Sequence, residues 1–392
     1  MYPNLYYAFR DLFGFEIPFL KVVNSFGFFV AIAFLLSAWL LIKELRRREA
    51  LGIFTYTDTT ITIGEPAGFG ELLINFLLGF FLGFKIIGVL IVDGALNDPQ
   101  AFIFSKLGSW PAGIALGLFF AGWKWWEKNK TRLEKPVERT LRIWPSDRVG
   151  DITIIAAVAG FVGAKIFDNL ENWDRFIQDP IGNLISPSGL TFYGGLIVAT
   201  FTLWYYFRKK GISFIKVADA AAPVLMFSYA FGRVGCQVAG DGDWGIVNTS
   251  PKPFSWLPDW MWAYDYAHNV NREGVPIPGC DWGDYCAHLP MKVFPTPFYE
   301  IVVCLLLFWL LWSIRKKVKL TGRMFAIYLI LNGIERFFIE KIRVNTRYDI
   351  FGFHPTQAEL ISSLLVVCGV LLYLYAPRLA INKKTEAVAA AK

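Results

Sequence analysis

The sequence predicts an all-α polytopic membrane protein, and three observations support this fold class. Of the 392 residues, 55% are hydrophobic and only 18% are charged, whereas a soluble domain carries about 25% charged residues. Long apolar runs, such as LLINFLLGFFLGFKIIGVLIV at 72–92, reach the roughly 20 residues that span a bilayer. The basic residues behind the net charge of +7 gather where apolar runs end, which indicates membrane orientation rather than a nucleic-acid partner.

Apolar runs of spanning length or close to it predict about nine transmembrane helices. The predicted spans are 22–42, 72–92, 107–123, 151–167, 189–207, 216–231, 297–314, 322–339 and 356–375. The second and third spans form a pair that adds to seven others. Because a pair crosses the membrane and returns, it leaves the orientation of every later span unchanged.

The basic clusters give the orientation. KELRRR follows the first span, RKK the fifth and RKKVK the seventh, so all three fall on one side of the membrane. The positive-inside rule makes that side cytoplasmic. The N-terminus is then outside and the C-terminus cytoplasmic, while the opposite loops are acidic and rich in Trp and Tyr.

Four regions follow from this threading. Residues 1–49 form an N-terminal external segment with the first span, and 50–150 form an inserted membrane hairpin with a basic cytoplasmic loop. Residues 151–380 form the core, and 381–392 form a cytoplasmic tail. The external loop 241–295 within the core is too aromatic for a disordered linker and predicts a small cap or arm. Cys280 and Cys286 in this loop are able to form a disulfide if it lies outside the cell.

Ionisable residues in the spans predict a functional site, since charges inside a membrane are costly and usually face the protein interior. Arg233 stands at the outer end of the sixth span, and Asp219 lies within that span. Arg336, Glu340 and Arg343 are spaced i, i+4, i+7, which puts them on one face of the eighth helix. Simple structural pairing of Glu340 with either arginine is one interpretation. Two arginines at one depth on different spans favour the other, an anion site, because guanidinium groups match phosphate.

The glycine-rich stretch GRVGCQVAGDGDWG at 232–245 fits such a site. Glycine permits close backbone approach and exposes N–H groups to an anion. Glycines also mediate helix packing in membranes, and Gly194–Gly195 is predicted to do only that.

This stretch resembles the signature of bacterial prolipoprotein diacylglyceryl transferases. Asp219 stands where that family has an aspartate, fourteen residues before the signature arginine. FPTPFYE at 294–300 resembles the family's Pro-Ser/Thr-Gln-x-Tyr-Glu box, and ERFFIEKIR at 335–343 resembles its Arg-Phe-x-x-Glu-x-x-Arg segment. TQAELIS resembles the opening of its last span. The resemblance covers about 22–49 and 151–380 in matching order.

The resemblance implies transfer of a diacylglyceryl group from phosphatidylglycerol to the lipobox cysteine thiol of a prolipoprotein signal peptide, with release of glycerol phosphate. The enzyme would be a multi-pass protein of the cytoplasmic (inner) membrane, surrounded by membrane lipids, with its site toward the outer leaflet. Arg233 and Arg336 would bind the lipid phosphate, and Glu340 and Arg343 would orient or gate the cleft. The implied pocket further includes Asp219, Gly235, Gly240, Asp241 and Gly245.

The chain departs from the family pattern at four positions. Tyr193 replaces the histidine before Gly-Gly that is the usual candidate base, and Cys236 replaces a frequent asparagine. Phe26 and Asn332 replace tyrosines. The base therefore stays open between Tyr193, Asp241 and His354.

No metal and no other cofactor is predicted, since the external histidines and acids lack ligand spacing. Two rival functions remain. Intramembrane charges are also typical of a lipid transporter or flippase, which would show related halves that this sequence lacks. A homologue that binds lipid or signal peptide without catalysis is the second rival.

Overall fold

The structure is a computed structural model, and it describes residues 1–96, 99–186, 189–345, 348–349 and 352–390. Positions 391–392 of the predicted cytoplasmic tail therefore lie outside the described residues. The described chain is almost entirely helical. Its α-helices are α1 (Leu5–Phe13), α2 (Ser25–Ala50), α3 (Phe69–Phe81), α4 (Gly88–Ile91), α5 (Pro99–Phe104), α6 (Trp110–Lys130), α7 (Val149–Glu171), α8 (Trp173–Gln178), α9 (Pro180–Ile185), α10 (Phe192–Lys209), α11 (Phe214–Ala239), α12 (Thr296–Ile314), α13 (Arg323–Glu340) and α14 (Gln357–Ala390).

Two short antiparallel ribbons accompany the helices. Strands β1 (Thr57–Ile63) and β2 (Val137–Ile143) pair from Thr57 with Ile143 to Ile63 with Val137. Strands β3 (Val275–Pro276) and β4 (Ala287–His288) form a smaller ribbon in the loop after α11.

Within the described residues, six helices are long and apolar enough to cross a membrane. They are Ser25–Ala50, Phe69–Ile91, Pro145–Glu171, Phe214–Ala239, Thr296–Ile314 and Gln357–Arg378. The three other predicted spans are also helical, as α6, α10 and α13, but they carry more charge or less apolar length. The all-α polytopic class is confirmed, and the number nine stays a prediction.

The helices divide between two compact units. The first comprises Met1–Asp11, Asn24–Leu51 and Ile212–Lys392, and the second comprises Leu12–Val23 and Gly52–Gly211. In the first unit α11 is central and packs against α2, α12 and α13, while α14 packs on α13. Its core consists of small or flexible apolar residues, Ala222, Met226, Ala230, Cys304, Leu311 and Met324. Small residues at such contacts let membrane helices approach closely.

One end of the first unit collects basic residues. Glu44, which is buried, lies 2.6 Å from Arg47 and 2.9 Å from Arg48 on α2, and 3.2 Å from Arg315 beyond α12. Residues of the basic clusters after the first and seventh predicted spans therefore lie at the same end of the first unit, and the side of the membrane stays a prediction.

The long loop after α11 folds with a core of its own, made of Trp244, Tyr266, Leu289 and Val293. A disulfide joins Cys280 to Cys286. The N-terminal helix α1 contacts this loop, since Tyr7 stacks on Trp282 with ring centroids 4.8 Å apart. The predicted cap is therefore an ordered structure.

In the second unit, helix pairs meet through glycines. Gly194 and Gly195 of α10 abut the backbone of Gly163 and Gly160 on α7, so a side chain at either glycine would clash. The predicted packing role of Gly194–Gly195 is confirmed. Helices α3 and α6 pair in the same way, through Gly79 and Gly117.

Candidate functional site

Glu300 lies at the centre of a buried group of ion pairs in the first unit. Its carboxylate is 3.1 Å from Arg233 Nε, 3.1 Å from Arg336 Nη1 and 3.5 Å from Arg343 Nη1. The Tyr229 hydroxyl donates a 2.7 Å hydrogen bond to the same carboxylate. Glu300 is 0% exposed, so one fully buried carboxylate holds three guanidinium groups together.

Two further carboxylates complete the group. Asp243 pairs with Arg233 and lies 2.5 Å from Arg343 Nη2. Glu340 lies 3.0 Å from Arg336 Nη2 and accepts a 2.6 Å hydrogen bond from the Asn345 side chain. We call these six residues the arginine cluster: Arg233, Asp243, Glu300, Arg336, Glu340 and Arg343. Its three positive and three negative charges balance, as buried charges must.

The helices that carry the arginine cluster explain why it forms. Arg233 lies near the C-terminal end of α11, Glu300 in the first turns of α12, and Arg336 and Glu340 in the last turns of α13. The spacing i, i+4 puts Arg336 and Glu340 on one helix face. Arg233 and Arg336, from different spans, converge on the Glu300 carboxylate. Arg336 also pairs with Glu340, which is the structural pairing that the sequence analysis left open beside an anion site.

Arg343 reaches the arginine cluster by another route than the predicted one. Helix α13 ends at Glu340, so the prediction that Arg343 shares its face is wrong. Backbone pairing brings Arg343 in instead: it forms a bridge with Gly245, and Ile246 N donates a 2.9 Å hydrogen bond to Ile342 O. A loop pairing of this kind leaves no helical periodicity in the sequence.

Gly245 is where three chain segments meet. Its N–H donates to Phe294 O at 2.8 Å, and the Thr296 hydroxyl donates to Asp243 O at 2.6 Å. A Cβ at position 245 would lie 2.9 Å from side-chain carbons of both Phe294 and Thr296. Glycine is therefore required for this close approach, which fixes Asp243 against the arginines.

Two other glycines of the signature have packing roles, and their predicted assignment to the pocket stays a prediction. A Cβ on Gly235 would lie 3.1 Å from the Phe26 ring, so Gly235 lets α2 and α11 pack. Gly240 ends α11 in the left-handed conformation with φ of 65°, which glycine adopts at low cost.

Asp219 also differs from its predicted place in the substrate site. Its buried carboxylate accepts hydrogen bonds from Gly322 N at 2.6 Å and Phe325 N at 2.8 Å. These contacts cap the N-terminus of α13, where free N–H groups need acceptors. Fourteen residues of helix separate Asp219 from Arg233, a rise of about 21 Å. Asp219 is therefore a structural residue at the opposite end of α11.

Cys236, Asp241 and Asp243 lie together beside Arg233, with their ligand atoms within 4.8 Å of one another. Burial raises the pKa of Asp241, and the nearby Asp243 carboxylate raises it further. Burial also acts to raise the pKa of Asp243, but Arg233 and Arg343 outweigh it and hold that pKa at about 2. Thiolate and carboxylate groups suit a metal ion, yet Arg233 Nη1 lies 3.8 Å from Cys236 Sγ. Guanidinium groups on both sides of Asp243 disfavour a cation there.

The remaining candidates lie apart from the arginine cluster or in the other unit. His354 is exposed, with Nδ1 3.9 Å from Asp349, and no described contact links it to the arginine cluster. Asn332 lies one turn before Arg336 on α13, half-buried. Tyr193 is the second residue of α10 in the second unit, with its ring 5.7 Å from that of Phe192.

Sequence reasoning did not name Glu300, Asp243 or Tyr229 as site residues. Glu300 and Asp243 stand inside the quoted motif segments, so a search for carboxylates to balance three arginines would have found them. Tyr229 precedes Arg233 by one helical turn, which places both on one face of α11.

The fold and the arginine cluster define a multi-pass helical membrane protein with a buried, charge-balanced group of arginines at the ends of three helices. The family model described as prolipoprotein diacylglyceryl transferase matches residues 107–375. The chain belongs to this family. The matched residues begin inside the segment 50–150 that the sequence analysis predicts as an insertion.

Several curated relatives are called phosphatidylglycerol–prolipoprotein diacylglyceryl transferase. One, from Dehalococcoides mccartyi, is 30% identical over 303 residues, covering 74% of this chain and 97% of the relative. Another, from Corynebacterium efficiens, is 30% identical over 231 residues, covering 57% of this chain and 66% of the relative. A third, from Lysinibacillus sphaericus, is 29% identical and covers 60% of this chain and 80% of the relative.

Proposed function

We propose that this protein transfers the diacylglyceryl group of phosphatidylglycerol to the cysteine thiol of prolipoproteins, as its family membership implies. The observation that supports this most is the arginine cluster, which joins the three motif segments at 232–245, 294–300 and 335–343. The reaction forms a carbon–sulfur bond, breaks the bond between the glycerol carbon and the phosphate oxygen, and releases glycerol phosphate.

The arginine cluster has the groups that stabilise this leaving phosphate. Arg233 and Arg343 both direct guanidinium N–H groups at Asp243, in the arrangement that suits two oxygens of a phosphate. The lipid phosphate takes the place of Asp243 between them. A phosphodiester and a carboxylate each carry one negative charge, so the exchange keeps the arginine cluster neutral. Fixed positive charge then stabilises the second negative charge that develops as the phosphate leaves.

Asp243 is suited to such an exchange. It lies in a loop, with its side chain 31% exposed, whereas Glu300 is fully buried. Glu300 therefore holds the arginines in position while Asp243 moves out toward solvent. Glu340 orients Arg336 from the same helix.

The incoming thiol must lose a proton, since the thiolate is the nucleophile and a free cysteine has a pKa of about 8.5. Among the three candidate bases from the sequence, Asp241 lies beside the arginine cluster with a raised pKa. His354 is exposed. We propose Tyr193 as a residue that positions a substrate by hydrogen bonding, because a neutral phenol donates a hydrogen bond readily and is a poor base.

The enzyme works at the outer leaflet of the cytoplasmic membrane under this proposal. The disulfide between Cys280 and Cys286 supports an oxidising compartment for the cap. The cap continues directly from α11 and the arginine cluster, so both lie at the same end of the first unit. Both substrates, phosphatidylglycerol and the prolipoprotein signal peptide, then reach the site within the bilayer.

A transfer assay tests the proposed function against the two rivals. The purified full-length protein in phosphatidylglycerol-containing nanodiscs receives a lipobox peptide, and mass spectrometry follows the peptide. A thioether-linked diacylglyceryl product and free glycerol phosphate are expected. Lipid translocation without product would favour a flippase, and peptide binding without product would favour the non-catalytic homologue.

A further inference from the structure

Glu335 differs from every carboxylate of the arginine cluster. It is 8% exposed, and neither carboxylate oxygen has a hydrogen-bond partner within the described residues. Buried polar groups in native proteins are almost always hydrogen-bonded. An acidic side chain left open in this way has its acceptor oxygens available to a ligand.

The open carboxylate lines an apolar groove of about 350 Å³ between α12 and α13. The other residues of this groove are Tyr299, Val303, Leu307, Leu331, Ile334, Phe338 and Ile339. Phe338, Ile334 and Val303 are among its exposed apolar residues, so the groove lies on the outer surface of two membrane helices. We call it the α12–α13 groove.

The α12–α13 groove and the arginine cluster use neighbouring residues of the same helices. Tyr299 faces the groove while Glu300 joins the arginine cluster, and Glu335 faces the groove while Arg336 joins the arginine cluster. The open carboxyl group of Glu335 offers a phosphate no positive charge, whereas its two oxygens can accept a hydrogen bond from a proton donor. The lipid phosphate is therefore assigned to the arginines, and the thiol of the substrate cysteine is assigned to the groove.

We propose that Glu335 is the group that accepts the proton of the substrate thiol, and that the α12–α13 groove holds the apolar signal-peptide segment around that cysteine. The inference rests on the proposed transferase function. The carboxylates of the arginine cluster are held by guanidinium groups, which makes them weak acceptors. Glu335 has both oxygens open.

The step balances in atoms and charge. Glu335 takes the proton from sulfur, and the thiolate electron pair forms the bond to the lipid glycerol carbon. The carbon–oxygen bond breaks, and its electron pair leaves on the phosphate oxygen next to the arginines. The proton then passes from Glu335 to the released glycerol phosphate, so that the carboxylate is restored.

Glu335 has charged and titratable neighbours on α11, α12 and α13 and in the segment after α13. These are Tyr229 and Arg233 on α11, Glu300 and Cys304 on α12, Tyr328 and Arg336 on α13, and Arg343 after α13. Burial in the groove and the nearby Glu300 disfavour the ionised carboxylate, whereas Arg336, Arg233 and Arg343 favour it. The pH dependence of the reaction therefore belongs to this group of residues, and a variant is needed to assign it.

The test compares a thiol with a selenol, which ionises well below neutral pH and needs no base. Glu335→Gln is expected to lower kcat for a lipobox cysteine peptide about 10²–10⁴-fold at pH 7. Its remaining rate should rise about tenfold per pH unit toward the thiol pKa of about 8.5. The same variant should transfer to the selenocysteine peptide at a rate close to that of the wild type, and Glu335→Asp should recover part of the thiol activity. Glu127→Gln, at an exposed pair on α6, is the control.

Equal losses with thiol and selenol, or a wild-type kcat and pH profile in Glu335→Gln, would overturn the role of Glu335. An inactive wild-type protein would instead overturn the proposed function itself. The occupant of the groove is tested by Val303→Trp, with Leu306→Trp, exposed on the same helix outside the groove, as its control. Val303→Trp is expected to raise the KM for the peptide and to leave the KM for phosphatidylglycerol unchanged. A raised KM for phosphatidylglycerol would assign the groove to a lipid chain and overturn the proposal that it holds the signal peptide.

Discussion

Asp243 accepts a 2.5 Å hydrogen bond from Arg343, a residue 100 positions further along the chain, and also pairs with Arg233. This one carboxylate thus joins the loop after α11 to the segment after α13. Glu300, on α12, contacts the same two arginines.

Replacing Arg233 should separate charge from geometry. Arg233→Lys keeps the charge, but a single ammonium cannot reach Asp243 and Glu300 as a guanidinium fork does. We expect a severe loss of transfer, and complete loss in Arg233→Ala. The alanine variant leaves Glu300 partly uncompensated, at a cost of about 3–5 kcal/mol of stability. Transfer rates and melting temperatures measure the two effects. Wild-type activity in the lysine variant would show that Arg233 does not need to contact Asp243 and Glu300 at the same time.

Removing the Asp219 carboxylate that caps the N-terminus of helix α13 should affect stability rather than substrate binding. Asp219→Ala deletes the acceptor for Gly322 N and Phe325 N, which costs about 1–2 kcal/mol. The KM for phosphatidylglycerol should stay unchanged, because about 21 Å of helix separates this cap from Arg233. Asp219→Asn keeps one acceptor and serves as the matched control. An increased KM with an unchanged melting temperature would place Asp219 in the substrate site after all.

Tyr193 occupies the position where the family resemblance implies a base. Tyr193→Phe should reduce transfer about 10–100-fold, the value of a hydrogen bond to a charged group, and Tyr193→His should keep some activity. Tyr205→Phe, at an exposed tyrosine on the same helix, is the control. Unchanged transfer in Tyr193→Phe, together with its loss in Asp241→Asn or His354→Ala, would exclude Tyr193 from the chemistry.

The hairpin within 50–150 should be dispensable for chemistry. Strands β1 and β2 pair Asp58 with Arg142, so a two-residue Asn-Gly turn can join these positions in place of 59–141. The shortened protein should retain measurable transfer in detergent, since the residues of the arginine cluster all lie outside the deletion. A folded, monodisperse variant without turnover would show that the hairpin builds part of the site.

The cap should loosen in acid through His268. Burial holds the pKa of His268 below its ordinary value of 6.5, while the ring stacks on Trp282 at 4.0 Å. Below about pH 6.5 the unfolded chain binds this proton more readily, so the stability from the neutral ring is present above that pH and declines as the pH falls. Hydrogen exchange of cap peptides at pH 7 and pH 5 should reveal lower protection in acid.

His268→Asn is the matched variant, since asparagine tolerates the positive φ of 62° at this position. In this variant the peptides of the cap should be less protected from hydrogen exchange at pH 7 than in the wild type. Their protection should no longer change between pH 7 and pH 5. If the wild type and this variant respond equally to pH, another group controls the cap.

The sequence by itself determined the membrane class, the helical fold and the family, because apolar length and motif spacing are local properties of the chain. It also predicted that Arg233 and Arg336 share a site, since guanidinium groups at one depth on different spans match a phosphate. The tertiary structure decided what that partner is. Glu300 and Asp243 balance the arginines through contacts between distant segments, and Arg343 joins by a backbone pairing that has no periodic signal.

The same limit explains the corrections. Asp219 has the spacing of a site residue, but only the packing of α11 against α13 reveals that its carboxylate caps a helix. Gly235 has the pattern of an anion loop, and only the position of Phe26 reveals a helix contact. In the sequence Glu335 is an ordinary glutamate of a predicted helix. Only the fold reveals that its two oxygens lie in an apolar groove without a hydrogen-bond partner among the described residues. A residue's type and spacing are written in the sequence, whereas its hydrogen-bond partners depend on which distant segments the fold brings beside it.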